Sequence, residues 1–276
     1  MTEPRPRVEA AVADLAADLR EWIAWTEETG AVELPAFERP AQQRQPVVQP
    51  TRTPASGPPP ATATRPTPAQ RPQQPRHGGA RIARAPERAP GGSGQSLEQI
   101  RAALGPCERC PLHAGRRNIV FGVGSPVAEL MLIGEGPGRD EDLTGEPFVG
   151  RSGQLLTRML AAIGLDRGDV YIANVVKCRP PRNRDPEPNE VATCSPFLHQ
   201  QIQAIRPRVI MTLGRFASQN IVGIEASMGE LRRQVRAYQQ TPVVATYHPA
   251  YLLRNPIAKR QSWGDFLKVR ALLRGI

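Results

Sequence analysis

The sequence predicts a three-layer α/β/α domain built on a central, mostly parallel sheet, preceded by a helical arm and a disordered Pro/Arg-rich linker. Three features of the chain point to that fold. From about residue 96 onward, apolar runs of four to seven residues alternate with amphipathic stretches of helical period. The longer runs, ELMLIG at 129–134 and RVIMTL at 208–213, are almost continuous rather than alternating, as in strands covered on both faces. Glycine-rich and polar segments follow directly on those runs, where the carboxyl ends of parallel strands collect a site.

In chain order, residues 6–29 set Val8, Val12, Leu15, Leu19, Ile23 and Trp25 at approximately helical spacing, and Gly30 ends that helix, giving an amphipathic arm over 1–39. Residues 40–95 hold 13 prolines among Gln, Ala, Thr, Gly and Arg. Such a segment has too little apolar surface to offset chain entropy and is expected to be a disordered tether. The working domain then spans 96–276. Its first helix covers 96–104. A buried strand covers 129–134, Ser152 caps a helix that stops near Gly164, and a strand covers 170–176. A helix over 188–205 carries Cys194. Strands follow at 208–213, 235–238 and 243–246, and a closing helix covers 263–273.

The formal charge of +10 is unevenly spread: residues 1–39 carry 4 Arg against 9 acids, and 40–95 carry 8 Arg against 1 acid. A polyanionic partner suits the basic parts, with the tether either touching phosphates or only solubilising. The acidic arm is expected to dock a partner protein. No run approaches membrane-spanning length, so no membrane partner is expected. The expected location is cytoplasmic, nucleoid-associated in a prokaryote, as a monomer.

The four cysteines are Cys107, Cys110, Cys178 and Cys194. A C-x2-C pair offers two thiolates from one turn, and two distant thiols can close a four-sulfur shell around a metal. Two disulfides are the lesser reading, because nothing at the start resembles a secretory signal and cytosolic thiols stay reduced. Thiols alone leave tetrahedral zinc and a [4Fe-4S] cluster both open. His113 is a further ligand type that four sulfurs make unnecessary.

The loops carry the remaining chemistry. GEGPGRDED at 134–142 is neither a nucleotide-triphosphate loop, lacking the Gly-Lys-Ser/Thr ending, nor a dinucleotide fingerprint, since Arg139 takes the third glycine's place. EPFVGRSG at 146–153, the segment 174–181 (NVVKCRPP) and YHPAYLLRNP at 247–256 also follow apolar runs. From about residue 97 to the end the chain resembles the family 4 uracil-DNA glycosylases, the iron-sulfur branch of that superfamily, whose motifs stand in the same order. The arm and tether lie outside the resemblance.

That resemblance implies a monofunctional enzyme that hydrolyses the N-glycosidic bond of uracil in single- or double-stranded DNA, leaving an abasic site. It implies a [4Fe-4S] cluster on Cys107, Cys110, Cys178 and Cys194, as a structural clamp on the DNA-facing loop. It implies Glu135 and His248 as catalytic residues, and Gly136, Glu141, Phe148 and Asn174 as uracil-binding. Phe148 offers a stacking face, and the Asn174 amide can pair with O4 and N3–H of uracil but not with cytosine's reversed edge. Glu135 would steady the cationic sugar or orient water, and a neutral His248 would donate to O2 of the departing base. Ser152, Leu252, Leu253 and Arg254 are the expected DNA contacts: Ser152 at a helix start, either leucine as a wedge, Arg254 on a phosphate. Both leucines can instead pack under the closing helix. Lys177, Arg179, Arg182 and Arg184 crowd around Cys178, either to meet DNA or to balance the centre's charge. The branch that traps uracil through an inserted histidine is disfavoured, because only Gly145 separates Thr144 from Glu146 and residues 150–153 contain no histidine. A reading of another class is a non-enzymatic, zinc-stabilised nucleic-acid-binding module with inert carboxylates.

Overall fold

The computed structural model describes residues 94–275. The expected arm at 1–39 and all but the last two residues of the expected tether lie outside the described residues. Ser96 opens the domain. Its hydroxyl accepts the Gln99 N–H at 3.2 Å while the Gln99 side chain accepts the Ser96 N–H at 2.8 Å, the reciprocal cap that starts α1, Leu97–Leu104.

Among the described residues six strands form one sheet: β1 Val123–Gly124, β2 Leu130–Gly134, β3 Tyr171–Asn174, β4 Val209–Leu213, β5 Arg236–Tyr238 and β6 Thr241–Thr246. Their order is β1-β3-β2-β4-β6-β5, with β3, β2, β4 and β6 mutually parallel and the two edge strands antiparallel. The further helices are α2 Arg139–Thr144, α3 Arg151–Ala162, α4 Pro188–Ile205, α5 Arg215–Val222, α6 Met228–Arg233, α7 Pro249–Arg254 and α8 Lys259–Arg274. Alternation along each buried strand assigns the layers. Leu130 and Leu132 of β2 join Leu155 and Met159 of α3 and Phe266 of α8, whereas Met131 and Ile133 join Leu198 and Ile202 of α4 and Ala217 of α5. The α/β/α expectation holds.

The chain runs from β2 to β3 on one side, then crosses to β4 on the other side of β2. At such a reversal two connections leave in opposite directions and open a crevice beyond the strand ends. Gly134 and Asn174 stand opposite each other in the β2–β3 register, so both strands end level at that crevice.

Several expectations need correction. Ser152 does not cap α3; extended Gly150 does, and Ser152 is the helix's second residue. The Glu141 carboxylate takes the Gly150 N–H at 3.1 Å and fixes the chain just before the helix begins. The strand expected over 170–176 leaves the sheet ladder after Asn174, although the Val175 and Val176 N–H groups still reach the Gly134 and Glu135 carbonyls at 2.9 and 3.1 Å. Segments read as plain loops hold short helices α2 and α7. In α2 three acids, Asp140, Glu141 and Asp142, occupy the first turn, where the helix dipole favours them.

Candidate active site

A cleft of about 460 Å³ opens at the carboxyl ends of the parallel strands. Glu135 and Gly136 leave β2, Asn174 ends β3, His248 lies two residues past β6, and Phe148 enters on the connection between α2 and α3; all of them line this cleft. Gly134 lets them converge. A Cβ there would lie 2.7 Å from Cζ of Phe148 and would also strike Oδ1 of Asn174, so a bare backbone is needed beneath the ring and the amide.

Asn174 is 1% exposed and its Oδ1 has no hydrogen-bond partner. A buried, unsatisfied amide oxygen is destabilising unless a ligand donates to it. The Phe148 and His248 rings stand 5.5 Å apart, tilted by 35°. His248 caps α7: its Nδ1 accepts the Ala250 N–H at 3.1 Å. An accepting Nδ1 places the ring proton on Nε2, which is left as a donor. Burial, aided by the Arg254 charge, pushes His248 down to about 4, so the ring is neutral near pH 7.

Glu135 is half-buried. Burial, reinforced by the Asp185 carboxylate and opposed by Arg215, pushes its carboxyl up to about 7. Asp185 itself stands 3.9 Å from Arg215. Asp185 also lines the cleft, with Asn183 and Arg184 of the same loop, and no spacing in the sequence singled it out.

The Phe148 turn is held in a conformation that it would not adopt alone. Phe148 has φ +54°, a region unfavourable for a bulky side chain. Glu141 braces that turn: its Oε1 accepts the Val149 and Gly150 N–H groups at 2.9 and 3.1 Å, and its Oε2 accepts the Gly138 N–H at 3.1 Å. Arg167 donates to the Pro147 carbonyl at 2.8 Å. At Gly153 a Cβ would collide with the Phe148 carbonyl, so only glycine admits this packing.

On the α1 and α4 side of the domain, a second and smaller cavity is lined by all four cysteines, together with Arg116 and Lys177 among others. All four thiols are free. Burial pushes Cys178 up to about 11 and raises Cys194, so these thiols ionise readily only when a cation takes the place of their protons. Among the described residues no three His, Cys, Asp or Glu side chains are gathered closely enough to hold one metal ion. Arg116 donates to Cys178 Sγ at 3.3 Å and the Lys177 N–H to Cys194 Sγ at 3.3 Å.

Residues 121–267 match the family model of the uracil DNA glycosylase superfamily. The type-4 uracil-DNA glycosylase of Archaeoglobus fulgidus is 48% identical over 186 residues, covering 64% of this chain and 94% of that protein. The type-4 enzyme of Sulfurisphaera tokodaii is 44% identical over 189 residues, covering 64% of this chain and 84% of that protein. This chain belongs to the type-4 uracil-DNA glycosylase family. The type-4 enzyme of Thermotoga maritima is 47% identical over 161 residues, with 58% of this chain and 84% of that protein covered.

In this glycosylase-family chain the residues expected to serve catalysis and base recognition, Glu135, His248, Gly136, Glu141, Phe148 and Asn174, share one cleft. Ser152 and Arg254 also line it. Glu141 contributes shape and bracing, because both its oxygens are taken by backbone donors rather than left for a base. Of the two leucines, Leu252 follows the packing alternative. Leu252 is 0% exposed and belongs to the main apolar cluster, and withdrawing it into a base stack would cost about 1.5–3 kcal/mol of burial. Leu252 is therefore a core residue, while Leu253 is only half-buried. Lys177, 0% exposed, has no access to DNA, and Arg184 forks onto Glu190 at 2.9 and 2.7 Å. Of the described residues, no helix is long and apolar enough to cross a membrane.

Proposed function

We propose that this protein removes uracil from DNA by hydrolysis, with the extruded base seated between Phe148, Asn174 and His248. The unpartnered Oδ1 of Asn174 in the cleft is the observation that carries the reading. It accepts N3–H of uracil while Nδ2 donates to O4; cytosine offers no proton at N3 and a donor in place of O4. Phe148 stacks on the ring. His248 Nε2–H donates to O2, where negative charge collects as the C1′–N1 bond breaks. Ionised Glu135 faces the cationic sugar and directs the water whose oxygen bonds to C1′. The water's proton leaves through Glu135, and the uracil anion is protonated after departure. Gly136 keeps the backbone beside the base low, and Glu141 holds the Phe148 turn. Arg254 and Ser152, which line the cleft, and Leu253, beside Arg254 on α7, meet the DNA strand. The Arg151, Ser152 and Gly153 N–H groups precede the first intrahelical donor, Gln154, and suit a phosphate.

Cys107, Cys110, Cys178 and Cys194 hold a [4Fe-4S] cluster in this reading. The cavity that all four cysteines line together supports it, with no other metal-ligating side chain among its lining residues. The bound cluster supplies cross-linking: it ties Cys178 to Cys194 and so secures the intervening loop, which carries Asn183, Arg184 and Asp185 to the cleft. The protein acts on single- or double-stranded DNA as a monomer at the nucleoid, with the 1–39 arm docking a repair or replication partner.

Purified protein is expected to release free uracil from a uracil-containing oligonucleotide and to contain iron rather than zinc. A colourless zinc protein that only retards the oligonucleotide would overturn this in favour of a binding module. Gly134→Ala is expected to slow release on the order of 10²-fold in single-turnover assays, because the added methyl displaces both ring and amide.

A further inference from the structure

A fully buried lysine stands between the thiol cavity and Asn174. Lys177 is 0% exposed, lines the cysteine cavity and directly precedes Cys178. Its side-chain nitrogen donates to the Asn174 carbonyl at 2.9 Å and to Gln201 Oε1 at 2.7 Å. Gln201 is itself held, donating to the Phe121 carbonyl at 2.9 Å and the Tyr171 hydroxyl at 3.2 Å. The Lys177 nitrogen is thus fixed from two sides, and its main chain touches the Cys194 sulfur. An enclosed ammonium is stable where an opposite charge faces it, and the four cysteines would supply that charge when they hold a metal centre. Its other contact falls on the main chain of Asn174, whose side chain lies unpartnered in the cleft.

We propose that Lys177 is a positioning residue that couples the two sites. It balances the cysteine-bound centre and, through the Asn174 carbonyl, sets the backbone that aims the uracil-reading amide. The coupling rests on the glycosylase reading above. It also assigns the lysine that precedes Cys178 a place inside the protein rather than on DNA.

Lys177→Met keeps most of the stem and removes the ammonium. In purified, iron-loaded protein we expect iron loss to a chelator, followed by visible absorbance, to accelerate about tenfold or more. Free uracil is expected to inhibit excision about tenfold more weakly, with retention of abasic DNA unchanged. A purely structural role would weaken folding without this split between base and DNA affinity. A variant in which only one of the two measures moves, or neither, overturns the coupling. Should Lys177→Met not fold, wild-type protein depleted of iron in graded steps serves instead. Its affinity for labelled free uracil by equilibrium dialysis should fall with iron content and return on reconstitution with ferrous iron and sulfide; constant affinity overturns the coupling. Wild-type protein that releases no uracil overturns the glycosylase reading and the coupling together, whereas an active wild type beside an unaltered variant overturns the coupling alone.

Discussion

Replacing His248 by alanine is expected to slow uracil release on the order of 10²–10³-fold, the usual effect of removing one preorganised oxyanion donor. Binding of uracil-containing DNA should be retained, since His248 lies inside the cleft rather than along the strand's path. The size follows from preorganisation. The Ala250 N–H fixes the tautomer through Nδ1, so the donor needs no reorientation when charge develops on the base. The ring is also neutral at the working pH, because burial holds its pKa near 4. The wild type should therefore show no limb from His248 between about pH 5 and 8. The linkage has a definite sign: the folded protein binds fewer protons at this site than the unfolded chain between 4 and 6.5, so His248 lowers stability as pH falls through that window. Single-turnover release and filter retention on one oligonucleotide check both parts. A loss under tenfold would remove His248 from the chemistry.

The architecture was legible because its signals are strong and local. ELMLIG and RVIMTL are apolar on both sides of the pleat, and a strand buried between two helical layers requires that. The helix over Pro188–Ile205 carries its sequence signal at its start, with proline at the first position and Glu190 closing the cap. Ser152 misled because a hydroxyl before an apolar run signals a cap, yet a buried carboxylate earlier in the chain, Glu141, decided where the turn closes. The residues sharing the cleft were found through motif order, not residue type. Nothing in a lone glutamate tells whether it lines an open cleft, as Glu135 does, or has its oxygens taken by three backbone donors, as Glu141 does. The leucine pair shows the same limit: both touch one apolar cluster, and only packing showed that Leu252 is wholly buried in it while Leu253 is partly exposed. Lys177 was invisible as an interior residue, because a lysine in a basic run usually belongs to the surface.

Glu135→Gln is expected to lower release about 10²-fold or more at pH 8 and to erase the pH dependence of the wild type. The carboxyl is held up to about 7 by burial and by Asp185, and both tasks given to it require the anion. The wild-type kcat/KM should accordingly climb with pH through about 7 and then level, while the amide variant stays low and flat. The same shift makes an independent claim on stability. Between 4.5 and 7 the folded protein holds a proton that the unfolded chain has released, so stability falls as pH rises across that window and stays reduced above it. Glutamine carries no such burden. Melting temperatures should thus favour Glu135→Gln over the wild type at pH 8, with the gap narrowing toward pH 5. A gap that is constant with pH would mean that the carboxyl is not raised, and an acid limb surviving in the variant would assign the titration to another group. Asp185→Asn offers the paired control: it removes the neighbouring negative charge, so the wild-type limb should move to lower pH with Glu135 still in place.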